Sequence, residues 1–329
     1  MNRKIALLEW TQHKLQDQDC YIKSASSDAS FRSYWRAFSK SKTYIVMDAP
    51  TEHEDCRPFI DISKKLINSG VNAPEVLHKD LNQGFLLLTD LGSTQYLQLL
   101  NQENFKELYQ DALNALHNIQ QKSSQKHLKA YDKSLLKQEM QLFDDWFIKI
   151  HLGIELSENQ KATIQNCQNL LISNALEQPQ SFVHRDYHSR NLMFIKDDNP
   201  GILDFQDAVV GPVAYDLVSL LKDCYISWNE TDVNKISDDF RQQFNQLNQT
   251  NITDTQWQTW FDLMGMQRHL KAVGIFCRLN YRDNKPNYLK DINRTLCYIK
   301  SVCRKYEELK PFLIILDSIT PSVESLCGQ

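Results

Sequence analysis

The sequence predicts an α+β protein with two lobes, a small β-rich N-terminal lobe over residues 1–91 and a larger, mainly helical C-terminal lobe over residues 92–329. Aromatic and β-branched residues cluster in short runs up to Thr89, which is typical of strands. After Thr94, apolar residues recur mostly every three or four positions, which is typical of amphipathic helices. No Pro/Gly/Ser-rich linker separates the two patterns, so the change near residues 90–92 indicates a boundary between packed lobes.

The N-terminal lobe is predicted to contain a helix, three strands, a second helix and two further strands. The first helix covers Arg3–Leu15, and the three strands follow at residues 21–24, 31–38 and 43–47. The second helix, at residues 59–67, ends before Gly70, a residue type that favours the end of a helix. The last two strands are expected at residues 75–78 and 85–89.

The C-terminal lobe is predicted to be helical apart from one segment. Amphipathic helices are expected at residues 105–119, 135–150 and 157–176, and again from residue 215 to about residue 313. The exception is the segment 182–207, where short apolar runs alternate with polar loops. This pattern predicts a few short strands embedded among the helices.

The charge balance excludes some classes of partner. The chain has 37 Lys and Arg against 41 Asp and Glu, so its net charge of −4 argues against a general nucleic-acid binder. No apolar stretch approaches the roughly 18 residues of a membrane span, and the apolar run before Glu9 is too short for a signal sequence. The eight cysteines contain no CxxC pair, which favours reduced thiols. We therefore expect a cytoplasmic protein without nucleic-acid or membrane partners; the oligomeric state is left open.

Glycine is scarce, with 9 residues in 329. No two glycines are spaced as in the dinucleotide-binding GxGxxG motif or the GxxxxGK[ST] phosphate loop. Any phosphate that this protein binds must therefore be held in another way.

The strongest chemical signal is the ordered set Asp186, Asn191 and Asp204 in the segments HRDYHSRN and LDF. Phosphoryl transfer needs one carboxylate that orients the attacking hydroxyl and accepts its proton, and amide and carboxylate oxygens that hold Mg²⁺. Each residue taken alone also fits a turn or a helix cap. The spacing His-x-Asp-x₄-Asn, with a second Asp thirteen residues later, favours the catalytic interpretation and matches the HRD pattern of protein kinases.

Three neighbouring residues each have two alternative roles. His184 is expected to brace the loop rather than to take part in chemistry. His188 either orders the loop or touches the substrate. Asp207 is either a second metal or substrate contact or the cap of a helix beginning at residues 208–210.

The N-terminal lobe departs from the protein-kinase pattern where nucleotide contacts are expected. The loop at residues 24–32 has serines in place of glycines, and the strand at residues 44–48 has no lysine. Hydroxyl and backbone N–H groups near Ser30 and Phe31 can bind phosphate oxygens, and a guanidinium of Arg32 or Arg36 can replace the lysine. The turn at Asp90 and Leu91 is where an adenine would meet backbone.

The chain resembles the aminoglycoside phosphotransferase-like branch of the protein-kinase fold. The resemblance covers nearly the whole chain and is tightest at residues 28–36, 183–221 and 267–289, which look like the bacterial N-acetylmuramate/N-acetylglucosamine anomeric kinases. It implies a two-lobed protein-kinase-like fold and ATP- and Mg²⁺-dependent phosphorylation of an amino sugar at its anomeric C1 hydroxyl, giving the α-1-phosphate in peptidoglycan recycling. By position, Asp186 would be the catalytic base, and Asn191 and Asp204 the metal ligands.

The third block of resemblance is rich in positive charge. Arg268, His269 and Arg278 are candidate contacts for the lactyl carboxylate of a muramic acid. A solvated helix face is the common alternative for such a run.

Two other functions remain open at this stage. One is a kinase for another acceptor, such as an aminoglycoside, choline or homoserine; an acceptor with an amine would need an acidic pocket. The other is a nucleotide-binding pseudokinase, which the missing lysine and glycines favour and the intact Asp186, Asn191 and Asp204 disfavour.

Overall fold

The computed structural model describes residues 3–27 and 31–321, and the elements within these ranges follow the predicted order. The strands are β1 (Tyr21–Ser27), β2 (Ser33–Ser39), β3 (Lys42–Asp48), β4 (Val76–Asp80), β5 (Phe85–Thr89), β6 (Lys129–Ala130), β7 (Gln180–Val183), β8 (Leu192–Met193), β9 (Gly201–Ile202) and β10 (Val209–Pro212). The α-helices are α1 (Arg3–Leu15), α2 (Cys56–Asn68), α3 (Tyr96–Leu99), α4 (Phe105–Lys122), α5 (Lys133–Leu142), α6 (Glu158–Glu177), α7 (Tyr215–Leu221), α8 (Glu230–Asn248), α9 (Asp254–Tyr281), α10 (Ile292–Lys305) and α11 (Lys310–Ile319). A π-helix follows α5 at Phe143–His151, and 3₁₀-helices lie at Pro286–Asp291 and Glu307–Leu309.

The chain forms two compact units. The first contains the described residues up to Ser124 together with Arg190–Asp207, and the second contains Gln125–Ser189 and the described residues from Ala208 onward. The predicted lobes divide the chain at a single point, after residue 91, whereas here residues 92–124 and Arg190–Asp207 pack with the N-terminal sheet. The assignment of nucleotide binding to residues 1–91 stays a prediction.

The first unit is built on a five-stranded antiparallel sheet with the order β1-β2-β3-β5-β4. Val46 of β3 pairs with Trp35 of β2 on one side and with Leu87 of β5 on the other. The central strands are buried because their residues are mostly apolar. Leu7 of α1 packs in the same core as Val46 and Leu87. Gly70 has a φ of +83° after α2, the left-handed conformation that glycine adopts without a steric penalty.

The second unit is mainly helical. Its short strands form the sheet β6-β10-β7, in which Val209 pairs with Val183. The sheet corrects one alternative, because Val209–Pro212 is a strand and Asp207 therefore does not cap a helix. The helix predicted at residues 135–150 changes to π-helical geometry at Phe143.

The cysteines depart in part from the expectation of reduced thiols. Six cysteines in the described ranges are buried free thiols, whereas Cys297 is disulfide-bonded, so the expectation of reduced thiols is wrong for Cys297. None of the helices in the described part of the chain has the length and apolar character needed to cross a membrane.

Candidate active site

The loop that carries Asp186 begins directly after β7, in the second unit. The backbone N–H groups of His184 and Arg185 donate to the carboxylate of Asp216 on α7, at 2.6 and 3.0 Å. Arg185 has a φ of +77°, a left-handed conformation that is unfavourable for a residue with a side chain. The buried Asp216 carboxylate therefore holds the loop in a shape that the backbone alone does not favour.

His184 and Asp186 lie within this loop. The Asp186 N–H donates to His184 Nδ1 at 3.3 Å, and His184 is fully buried, as expected for a residue that braces the loop. Burial alone would raise the pKa of Asp186, but the positive charges of Lys271, His188 and Arg185 lower it below its usual value. Asp186 is therefore ionised at neutral pH and can accept a proton.

Asn191 and Asp204 lie together in the first unit, on either side of the hairpin formed by β8 and β9. The Leu203 N–H donates to the Asn191 carbonyl at 2.9 Å, which aligns the two chain segments. Asn191 Nδ2 lies 3.4 Å from Asp204 Oδ2, and Gln206 Nε2 donates to Asp204 Oδ1 at 2.8 Å. Asp204 also has a left-handed φ, of +60°. The fold thus brings together two oxygen-bearing side chains that are thirteen residues apart.

The chemistry of these donors fits magnesium. Mg²⁺ usually keeps several waters and is bound in proteins by one or two carboxylates together with substrate phosphates. The Asn191 amide oxygen and the Asp204 carboxylate provide that kind of donor set. Within the described ranges no cluster of three or more His, Cys, Asp or Glu could hold a metal by itself.

Three of the five predicted nucleotide contacts, Ser30, Phe31 and Arg32, are consecutive in the sequence. Ser30 lies outside the described residues. The Phe31 ring is 65% exposed and stacks on His53 with centroids 4.3 Å apart. The Arg32 side chain is largely buried and lies 4.0 Å from Glu54.

The remaining predicted contacts lie at the turn after β5. Arg36 binds both carboxylate oxygens of Asp90, at 2.7 and 3.1 Å, and donates to the Gly92 carbonyl at 2.7 Å. The Leu91 side chain packs against Gly201, where an added Cβ would lie 3.0 Å away. Arg36 therefore fixes this turn, whereas Arg32 faces Glu54.

Among the predicted substrate contacts, His188, Arg268 and His269 are buried. The His188 ring meets Tyr225 edge-on at 5.3 Å. Arg268 Nη1 lies 3.6 Å from Cys224 Sγ. His269 is fully buried, stacks on Tyr298 at 4.8 Å and places Nε2 2.9 Å from the Lys222 carbonyl oxygen. Burial and the charge of Arg268 lower the pKa of His269 to about 3, so its ring is neutral.

Arg278 and Asp207 have more exposed environments. Asp207 is exposed in the first unit. Arg278 is half-buried, its Nε has no hydrogen-bond partner, and burial and Arg282 lower its pKa. The neighbouring Arg282 differs, since it is paired with Asp283 at 2.8 Å. Of the predicted substrate contacts that carry positive charge, Arg278 is therefore the one whose side chain is only half-buried.

Sequence reasoning missed Asp216, Glu139 and the role of Lys271. A single acidic residue inside the apolar run VAYDLVSLL was a usable signal for Asp216, because carboxylates are rarely buried without a partner. Glu139 and Lys271 lie on ordinary helical segments, and nothing in their spacing indicates that they meet.

The relatives of this chain are consistent with the site. Residues 22–254 match the phosphotransferase enzyme family. The chain belongs to that family. An N-acetylmuramate/N-acetylglucosamine kinase of Pseudomonas aeruginosa is 43% identical over 305 residues, covering 92% of this chain and 89% of the relative. A protein of the same name from Neisseria meningitidis serogroup B is 39% identical over 335 residues, covering 100% and 99%.

Solved structures agree on the fold of this phosphotransferase. The ADP-bound aminoglycoside phosphotransferase APH(2'')-Ib superposes with a TM-score of 0.58 at 15% identity, covering 89% of this chain and 97% of the other. A Plasmodium vivax ethanolamine kinase superposes with a TM-score of 0.62 at 13% identity, covering 91% and 86%. The predicted protein-kinase-like fold is therefore confirmed.

Proposed function

We propose that this phosphotransferase is a cytoplasmic, ATP- and Mg²⁺-dependent sugar kinase. Its acceptor is N-acetylmuramate, N-acetylglucosamine or both, and its product is the sugar α-1-phosphate, formed during peptidoglycan recycling. The observation that carries the acceptor class is the 43% identity, over 92% of the chain, to an N-acetylmuramate/N-acetylglucosamine kinase. An ionised Asp186 in a rigidly held loop supports the chemistry.

Asp186 acts as the base in this proposal. Its carboxylate orients the C1 hydroxyl of the sugar and takes the hydroxyl proton as the sugar oxygen bonds to the γ-phosphorus and the bond to the β-phosphate oxygen breaks. ADP leaves with that oxygen, and the proton on Asp186 is lost to solvent. Because the transition state of phosphoryl transfer is loose, alignment of the hydroxyl contributes more than strong basicity.

Asn191 and Asp204 are the proposed magnesium ligands. When bound, the metal would neutralise negative charge on the nucleotide phosphates. The left-handed backbone at Asp204 and its hydrogen bond from Gln206 orient the carboxylate for that role.

Residues 1–91 are proposed to bind the nucleotide and residues 92–329 to supply the catalytic and sugar-binding groups. Ser30, Phe31 and Arg32 would contact phosphates, and Asp90 and Leu91 would border the adenine. Arg32 is the proposed substitute for the missing lysine, because a guanidinium matches the geometry of a phosphate; Arg36 binds Asp90 and the Gly92 carbonyl.

Arg278 is the proposed contact for the lactyl carboxylate of a muramate acceptor. It lies on α9 seven residues after Lys271, which is about 10 Å along a helix. Its side chain is half-buried, unlike that of the buried Arg268, and a guanidinium suits a carboxylate. His188 is expected to lie beside the sugar. Arg268 and His269 are buried and are expected to support the site through packing rather than through contact with the sugar. Asp207 has no specific role in this proposal.

The proposal is tested by measuring ADP release with N-acetylmuramate, N-acetylglucosamine, an aminoglycoside, choline and homoserine, with and without EDTA. We expect release with the N-acetyl sugars, loss of release in EDTA, and an α-1-phosphate signal in ³¹P NMR of the product. Turnover of an amine acceptor alone would replace the sugar by that acceptor. Nucleotide binding without transfer to any acceptor would instead indicate a pseudokinase.

A further inference from the structure

A buried ionic cluster lies beside the loop that carries Asp186. Its centre is Glu139 of α5, which forms ion pairs with Arg185 of the loop and with Lys271 of α9, the latter at 3.1 Å. The Tyr131 hydroxyl donates to the same carboxylate. Three separate segments of the second unit therefore converge on the Glu139 side chain, which is ion-paired with the residue that precedes Asp186.

Lys271 is held tightly in this cluster. Besides its ion pair with Glu139, Lys271 Nζ donates to the Tyr215 hydroxyl at 3.2 Å, and the lysine side chain is 9% exposed. An added Cβ at Gly274 would lie 2.3 Å from the carbonyl carbon of Leu142, so the missing side chain allows α9 to approach the end of α5 closely. This close approach brings Lys271 within reach of Glu139.

The cluster around Glu139 has one more positive than negative charge. Arg185 and Lys271 carry two positive charges, and Glu139 supplies one negative charge. Although burial opposes ionisation of Glu139, Lys271 and Arg185 lower its pKa below the usual value, so it is an anion. Of the charges around Asp186, that of Lys271 lowers the pKa of this carboxyl the most.

We propose that Lys271, anchored by Glu139, is a positioning residue that fixes the Asp186 carboxylate for the acceptor hydroxyl. The inference rests on the proposed function, in which Asp186 receives the hydroxyl proton. Arg185 links the same anchor to the backbone next to Asp186, so Glu139 controls both the charge beside the carboxylate and the shape of its loop. The cluster is thus expected to affect turnover rather than nucleotide binding.

The test compares Lys271→Met, the double variant Glu139→Gln/Lys271→Met, and the control Lys222→Met. Lys222 is also a buried lysine with a carboxylate partner, Asp262 at 2.9 Å, so the control removes a comparable ion pair elsewhere in the unit. The kcat value, the KM values for ATP and for N-acetylglucosamine, and the midpoint of thermal unfolding are measured for each protein. Lys271→Met leaves Glu139 paired with Arg185, and the double variant also removes the Glu139 charge, so the two variants separate the loss of the Lys271 charge from an excess of negative charge at Glu139.

We expect both Lys271 variants to lose about 10- to 100-fold in kcat, a part of the 10²- to 10⁴-fold that a positioned base contributes. Their KM for ATP should stay within about twofold of the wild-type value. The Lys222→Met variant should keep the wild-type kcat even if its unfolding midpoint falls.

Three results would overturn the inference. They are a wild-type kcat in Lys271→Met, recovery of kcat in the double variant, and an equal loss of kcat in Lys222→Met. If instead the wild-type protein releases no ADP with any N-acetyl sugar, the proposed function itself fails, and the inference with it.

Discussion

Replacing Asp216 by alanine removes the acceptor that two backbone N–H groups of the Asp186 loop share. The His184 and Arg185 donors lie 2.6 and 3.0 Å from its carboxylate oxygens, and Asp216 is fully buried. Water cannot replace the carboxylate without entering the interior. A buried donor left without a partner costs about 1–3 kcal/mol, so the two together should lower the free energy of unfolding by about 2–6 kcal/mol.

The assay is urea-induced unfolding at pH 7, followed by far-UV circular dichroism, with kcat measured on the same preparations. Asp239→Ala, which removes an exposed aspartate from α8, is the matched control and should change the unfolding free energy by less than about 0.5 kcal/mol. An Asp216→Ala protein within about 1 kcal/mol of wild type would refute the claim that this carboxylate holds the loop.

The pH dependence of an Asp216→Asn protein separates the charge from the hydrogen bonds. Burial raises the pKa of Asp216 to about 7, against the opposing effect of the two N–H donors. Between the unfolded pKa near 3.8 and this folded value, the folded protein binds one more proton than the unfolded chain, so the wild-type contribution falls as the pH rises. The destabilisation caused by Asp216→Asn should therefore be larger at pH 5 than at pH 7, by about 2 kcal/mol. An equal effect at both pH values would show that Asp216 is ionised throughout this range.

Three further predictions concern other parts of the chain. Asp186→Asn should lower kcat by at least about 10²-fold with little change in the KM for ATP, and retention of most activity would exclude Asp186 as the base. Arg278→Met should raise the KM for N-acetylmuramate about tenfold or more and leave the KM for N-acetylglucosamine within about twofold. The control Arg282→Met should change neither KM value. Equal effects of Arg278→Met on both sugars would exclude a contact with the lactyl carboxylate. The pKa of His269 is lowered from 6.5 to about 3 in the folded protein. Between these pH values the folded protein binds fewer protons than the unfolded chain, so its stability decreases as the pH falls from about 6.5. Thermal unfolding midpoints of His269→Gln should fall less steeply over that range, and parallel curves would contradict the neutral buried ring.

Most of the fold could be predicted from local patterns. Arg3–Leu15 and Phe85–Thr89 are predicted with their observed bounds, because an amphipathic helix leaves a periodic signal in the sequence and a buried strand leaves a short run of apolar residues. The strand Val209–Pro212 could not be recognised, since its pairing with β7 and β6 depends on residues far away in sequence. Likewise, the predicted helix at residues 135–150 gave no sign of its π-helical half, which has the same apolar residues with a different hydrogen-bond spacing.

Some residues of the candidate site could also be predicted from the sequence, and others could not. Asp186, Asn191 and Asp204 could be found because their spacing along the chain is itself the signal. The sequence signal for Asp216, whose carboxylate supports the loop, is weaker, because it is only a single acidic residue in an apolar run. No sequence pattern indicates the role of Glu139. A supporting residue is selected by what it meets in space, so its position in the sequence carries little information about its partner.

The basic block on α9 shows why a run of charge in a sequence does not define a surface. Successive residues on a helix are rotated by about 100°, so neighbours in the block face different surroundings. Arg268 and Lys271 point inward and meet Cys224 and Glu139, whereas Arg282 is exposed and paired with Asp283. Half-buried Arg278 differs from them, because its Nε has no hydrogen-bond partner. Most of the positively charged side chains in the block therefore contact other groups of the protein. Discrimination between a muramate and a glucosamine acceptor is expected to depend on Arg278 rather than on the block as a whole.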